Sequence, residues 1–129
     1  MPEEPKAERD WRYNPIGRLK EFERIRESRA FSSIYHHADK TWHTPWFVLF
    51  YKKSPHHTVG FVASKKVGNA VKRNRAKRLL RALFIERSSM LKSGDYILVA
   101  KAPILASEYR ELSRAFADVL RKSRVLQPT

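Results

Sequence analysis

Residues 64–81 read SKKVGNAVKRNRAKRLLR. The stretch holds Lys65, Lys66, Lys72, Arg73, Arg75, Lys77, Arg78 and Arg81, with Asn69 and Asn74 among them and no acid. Gly68 and Asn69 mark a turn and a helix start. From Ala70 onward the apolar residues keep the helical period: Ala76, Leu79, Leu80, Leu83 and Phe84 share one arc. Asn74, Arg75, Lys77, Arg78 and Arg81 fill the opposite arc, roughly 160° wide. Arg73 lies at the boundary beside Lys77. Like charges at this spacing weaken a helix by about 0.2–0.5 kcal/mol per pair. A helix built only for stability would interleave glutamates, yet the first acid is Glu86, at the far end. A solvated charged face is the plain alternative. One-signed charge on one face, interrupted by amides, points instead to a helix that binds a polyanion.

Composition agrees. The chain has 129 residues, enough for one domain, and 42% of them are apolar, enough for a core. Its formal net charge is +14. So basic a chain of this length points to nucleic acid or an anionic surface. No apolar run is long enough to span a bilayer, and no secretory signal is visible. There is no cysteine, which excludes a disulfide framework and thiolate metal sites. A cytoplasmic RNA- or DNA-binding protein is the expectation. Of the 13 acids, eight precede Lys40 and none lies within 40–85.

Residues 1–17 combine three prolines with several glutamates and are read as a mobile arm. From 18 to 27 charges alternate around Leu19, Phe22 and Ile25, which suits a short amphipathic helix or an extended lead-in. Ser28 is a good N-cap for a helix over 29–37, where Phe31, Ile34 and Tyr35 form one stripe. Strands are expected over 40–43, 46–52 (WFVLFYK, apolar on both faces) and 58–64, with 52–57 as a hairpin connection. Gly60 inside the third strand signals a bulge or a close approach. The basic helix spans about 69–87. A strand over 95–101 follows, and a last helix opens at Ser107 or Glu108, with 125–129 as a frayed tail. This order is α+β: one sheet of about four strands with three helices packed on it. The domain is taken as 21–125, with an extension over 1–20 and a tail over 126–129.

The quoted stretch resembles the signature of the bacterial ribonuclease P protein family. The lysine pair, Gly68-Asn69, Arg73-Asn74-Arg75 and Lys77-Arg78 follow at the family's spacing, and weaker similarity runs over 24–124. The resemblance implies a ribosomal-protein-like fold whose strand–helix–strand crossover is left-handed, against the general rule. It implies that Lys65, Lys66, Asn69, Lys72, Arg73, Asn74, Arg75, Lys77, Arg78 and Arg81 bind RNA. It also implies that Phe31, Tyr35 and Phe50 line a cleft for the 5′ leader of precursor tRNA. For Phe31, Tyr35 and Phe50, core packing carries similar weight. The partners implied are ribonuclease P RNA and precursor tRNA, with no membrane and no DNA. In that family the RNA carries the active site and its Mg²⁺, the protein alone binds no cofactor, and the holoenzyme releases the mature tRNA 5′ end.

The residues themselves offer no self-sufficient catalyst. A two-metal site needs clustered carboxylates, and Asp39, Glu86 and Asp95 are scattered. His36, His37, His43, His56 and His57 fall at a helix end and in loops, where surface or capping roles suit them. No P-loop, nucleophile elbow or zinc spacing is present. A structural RNA-binding protein of ribosomal type remains the alternative, and it would need no aromatic cleft. A DNA-binding helix-turn-helix would want a helix just before the basic one, where the sequence predicts a strand.

Overall fold

The computed structural model describes residues 22–126. Five strands form one mixed sheet: β1 (Glu23–Arg24), β2 (Lys40–His43), β3 (Phe47–Lys52), β4 (His57–Ala63) and β5 (Gly94–Ala100), in the order β1-β4-β5-β3-β2. β1, β4 and β5 run parallel, while β3 is antiparallel to both β5 and β2. Three α-helices accompany the sheet: α1 (Ser28–His37), α2 (Ala70–Arg87) and α3 (Tyr109–Ser123). The α+β expectation holds, and the strand beyond the expected four is the two-residue β1.

Strand alternation divides the sheet into two faces. Phe47, Leu49 and Tyr51 of β3, with Tyr96, Leu98 and Ala100 of β5, belong to the main core. Val48 and Ile97 are buried but stand outside that cluster, on the other face, as does Ile34 of α1. This is why WFVLFYK is apolar throughout: helices cover both sides of β3. On the main-core face α2 buries Ala76, Leu80, Leu83 and Phe84, and α3 buries Leu112, Phe116, Val119 and Leu120. The Phe84 ring stands edge-on to Phe22, Tyr96 and Phe61, with centroids 5.1, 5.6 and 5.9 Å away. Phe116 meets Phe47 at 5.8 Å.

One expectation left open is decided and three are corrected. The segment ahead of α1 is extended over its described part, and Phe22 within it is 2% exposed in the core. Ser28 is the first residue of α1 rather than its cap; Glu27 holds the cap position without a side-chain hydrogen bond. Val125 is fully buried and Leu126 bridges Leu91, so the chain is still part of the fold where a frayed tail was expected. Lastly, 52–57 is no hairpin. β5 lies between β3 and β4, so the link crosses about 10 Å, two strand spacings, over the start of β5. The Gly94 amide donates to the His56 carbonyl there at 2.6 Å. A Cβ on Gly94 would sit 2.4 Å from the Tyr51 ring, so glycine leaves room for the end of β3 beside the start of β5.

Candidate nucleic-acid interface

Asn69 starts α2. Its side-chain oxygen accepts from the Lys72 amide at 3.0 Å, filling one of the orphan donors of the first turn. With the inner arc of α2 fixed by Ala76, Leu80, Leu83 and Phe84, the outer arc presents Lys72, Asn74, Arg75 and Lys77, all exposed. Arg78 and Arg81 are half-buried on its flank. The Arg81 guanidinium lies over the Phe61 ring, 5.7 Å from its centroid. Burial, and secondarily the Arg24 charge, lowers its pKa from the usual arginine value. Arg24 of β1 therefore extends the positive surface beyond α2. No feature of the alternating charges in 18–27 distinguished it in advance.

The turn ahead of α2 is ordered by its own hydrogen bonds. Val67 donates to Ser64 at 3.0 Å and Gly68 to Lys65 at 3.1 Å, while the Val67 side chain is buried. Lys65 and Lys66 are exposed on this turn. Arg73 differs from its neighbours: it is half-buried, and its Nη1 donates to the Gly68 carbonyl at 2.8 Å.

The opposite face of the sheet brings the three aromatic residues together. Tyr35 stands edge-on to Phe50 at 4.9 Å, and Phe31 lies 6.5 Å from Tyr35. All three are half-buried and none joins the main core. Phe31 is one turn from Tyr35 on α1 and is seated over Gly60 of β4, where a Cβ would come within 2.5 Å of its ring. Gly60 is thus a close-approach site rather than a bulge. Partial burial raises the Tyr35 pKa above the usual phenol value. Half-covered rings on a sheet can stack bases without reading their identity.

Asp39, Glu86, Asp95 and His36 have structural partners. Asp95 accepts from Thr58 and Ser54 at 2.6 and 3.2 Å, and Asp39 from the Lys53 amide at 2.7 Å. Glu86 accepts from Arg87, Ser113 and Tyr109. His36 Nδ1 lies 2.8 Å from the Ser32 carbonyl. His57, expected at the surface, packs edge-on against Phe22 at 5.0 Å, and its Nδ1 is buried with no partner among the described residues. Among the described residues no group of three or more His, Asp or Glu could hold a metal ion. No helix among them is long and apolar enough to cross a membrane.

Known proteins resemble this chain in sequence and fold. The family model for ribonuclease P matches residues 19–124. The ribonuclease P protein component of Nitratiruptor sp. is 39% identical over 104 residues, covering 81% of this chain and 94% of that protein. That of Shouchella clausii is 33% identical over 113 residues, covering 85% and 93%. The solved RNase P protein of Staphylococcus aureus superposes with a TM-score of 0.69 at 29% identity, covering 81% of this chain and 97% of that one. That of Thermotoga maritima, at 22% identity and a TM-score of 0.67, shares the fold. With a family model spanning most of its length and relatives matched almost end to end, the chain belongs to the ribonuclease P protein family, the protein components of a tRNA-processing ribonucleoprotein endonuclease.

Proposed function

We propose that the protein uses its two surfaces for two RNAs. The α2 face and the preceding turn, with Lys65, Lys66, Lys72, Asn74, Arg75, Lys77 and Arg78, bind ribonuclease P RNA. The cleft of Phe31, Tyr35 and Phe50 holds the single-stranded 5′ leader of precursor tRNA. Hydrolysis of the phosphodiester bond belongs to the RNA and the Mg²⁺ it holds. The protein's part is to lower the repulsion between two polyanions and to position the leader. The observation that carries this reading is the aromatic cluster. Three rings from α1 and β3, up to 19 positions apart (50 − 31), converge outside the core on the face away from the basic helix. A purely structural RNA binder has no use for such a cluster. Asp39, Asp95 and Glu86 lend support, since each is engaged in a turn or helix contact.

Reconstitution tests it. Protein alone, nuclease-checked, with Mg²⁺ and precursor tRNA, is expected to give no specific 5′ cleavage. Adding ribonuclease P RNA is expected to give cleavage at the mature 5′ end, with the protein's benefit largest at low Mg²⁺. Specific cleavage without RNA, or an RNA reaction indifferent to the protein, overturns the reading.

A further inference from the structure

Arg73 sits in the middle of the basic stretch but does not share its face. It is three residues before Ala76 and seven before Leu80, so all three lie on one side of α2. Ala76 and Leu80 are fully buried. The guanidinium of Arg73 is accordingly turned toward the protein, half-buried, with Nη1 on the Gly68 carbonyl. The turn it meets needs holding. Gly68 has φ 144, in the left-handed region that favours glycine, and a Cβ there would lie 2.6 Å from the Lys72 side chain. Three contacts tie the turn to the domain: buried Val67, the Asn69 cap on Lys72, and Arg73 on Gly68.

We infer that Arg73 is a positioning residue. Its guanidinium braces the turn over 64–69 so that Lys65 and Lys66 are presented as a fixed pair to phosphates of the RNA, and it acts through them. A short, one-signed segment gains affinity when its cations are held in place, because the ordering is done before binding. The inference rests on the proposed RNA-binding role of this surface and assigns a division of labour within it. Arg75 and Lys77 project outward from the helix, and Arg73 projects inward to the turn.

A double-mutant cycle separates bracing from direct contact. The probe is ribonuclease P RNA, titrated with the full-length protein. Arg73→Ala is expected to weaken binding about fivefold or more in the parent, and less than about twofold when Lys65→Ala and Lys66→Ala are already present. Gly68→Ala, which strains the same turn, is expected to behave alike. If Arg73→Ala costs as much in the lysine-free background as in the parent, Arg73 touches RNA itself and the inference is overturned. Amide hydrogen exchange on the free protein gives a second readout that needs no RNA. Arg73→Ala is expected to speed exchange of the Gly68 amide and leave the Leu80 and Leu83 amides protected. Unchanged protection at Gly68 overturns the brace as well. Should the parent bind no ribonuclease P RNA, the functional reading fails, while the exchange result still decides whether Arg73 holds the turn.

Discussion

The two faces of the sheet are built on opposite principles. On one, α2 is pinned to a dry core by Leu80, Leu83 and Phe84, and its outer arc is left to charge. On the other, α1 leaves the rings of Phe31, Tyr35 and Phe50 half covered beside each other. Charge acts over about 10 Å at ordinary salt and cares little for shape. Stacking acts at contact and neutralises no phosphate, so it adds nothing to the slope set by counterion release. On the proposed reading, one face of this small domain would draw a long polyanion in and the other would grip a short single strand. The two contributions should then separate experimentally.

Salt is the largest lever. With about six phosphate contacts the log–log slope of affinity for ribonuclease P RNA is expected near −4 to −5. Between about 50 and 200 mM salt that is a loss of roughly 250- to 1,000-fold. The leader-dependent part of precursor tRNA binding, measured as the ratio of precursor to mature tRNA affinity, should change far less over the same range. A ratio that collapses in step with total affinity would mean the cleft also works by charge.

Ring removal comes next, and it divides core from cleft. Phe84→Ala takes away a fully buried ring with three aromatic neighbours and should cost about 3–5 kcal/mol of stability. Phe50→Ala should leave a folded protein whose precursor tRNA binding falls roughly 5- to 150-fold, with mature tRNA bound as before. Melting temperature and affinity for both RNAs check the pair. A large drop in melting temperature for Phe50→Ala, with equal weakening for both RNAs, would return that ring to the core.

These two regions were not equally legible in the sequence. The basic face follows from one continuous stretch, because helical period and one-signed charge are local properties. Neither the period nor the charge of 29–37 told whether Phe31 and Tyr35 face a core or a cleft. That depended on Phe50 arriving from a distant strand and on Gly60 leaving room for the Phe31 ring. Non-local pairing also hid the insertion of β5 between β3 and β4, since a four-residue link looks like a hairpin until the intervening strand is known. Phe22 was obscured by the alternating charges around it, although only the side chain of Phe22 itself needed to reach the core. Arg73 carries the same lesson within the basic stretch: its charge is visible in the sequence, its inward direction is not.

A smaller effect tests the basic face residue by residue. Arg75→Ala should make the salt slope shallower by about 0.7–0.9 and weaken binding evenly across RNA sequences. It should also raise the Mg²⁺ needed for half-maximal cleavage by the holoenzyme without unfolding the domain, since Arg75 is exposed. An unchanged slope together with an unchanged Mg²⁺ response would remove Arg75 from the interface.

The finest contrast uses tyrosines as reporters of wetness on the two faces. Tyr96, fully buried on the core face with its hydroxyl donating to the Lys92 carbonyl at 2.7 Å, has its pKa driven far above the usual phenol value, first by burial and then by Tyr51. Tyr35 in the cleft is raised by burial alone. In both, folding favours the neutral phenol. Each therefore contributes stability that is fully present below the unfolded pKa of about 10 and is lost as pH rises through the folded value. Denaturant midpoints measured from pH about 9 upward should decline once the unfolded phenols ionise. Tyr96→Phe should make that decline shallower, at the cost of the bond to Lys92 and with Tyr51 and Tyr109 supplying the remainder, while Tyr35→Phe should alter its slope less. Absorbance titration of the folded protein should show Tyr35 ionising before Tyr96. Should Tyr35→Phe flatten the alkaline decline as much as Tyr96→Phe does, the cleft is as dry as the core, and its rings are not open to the bases of a bound strand.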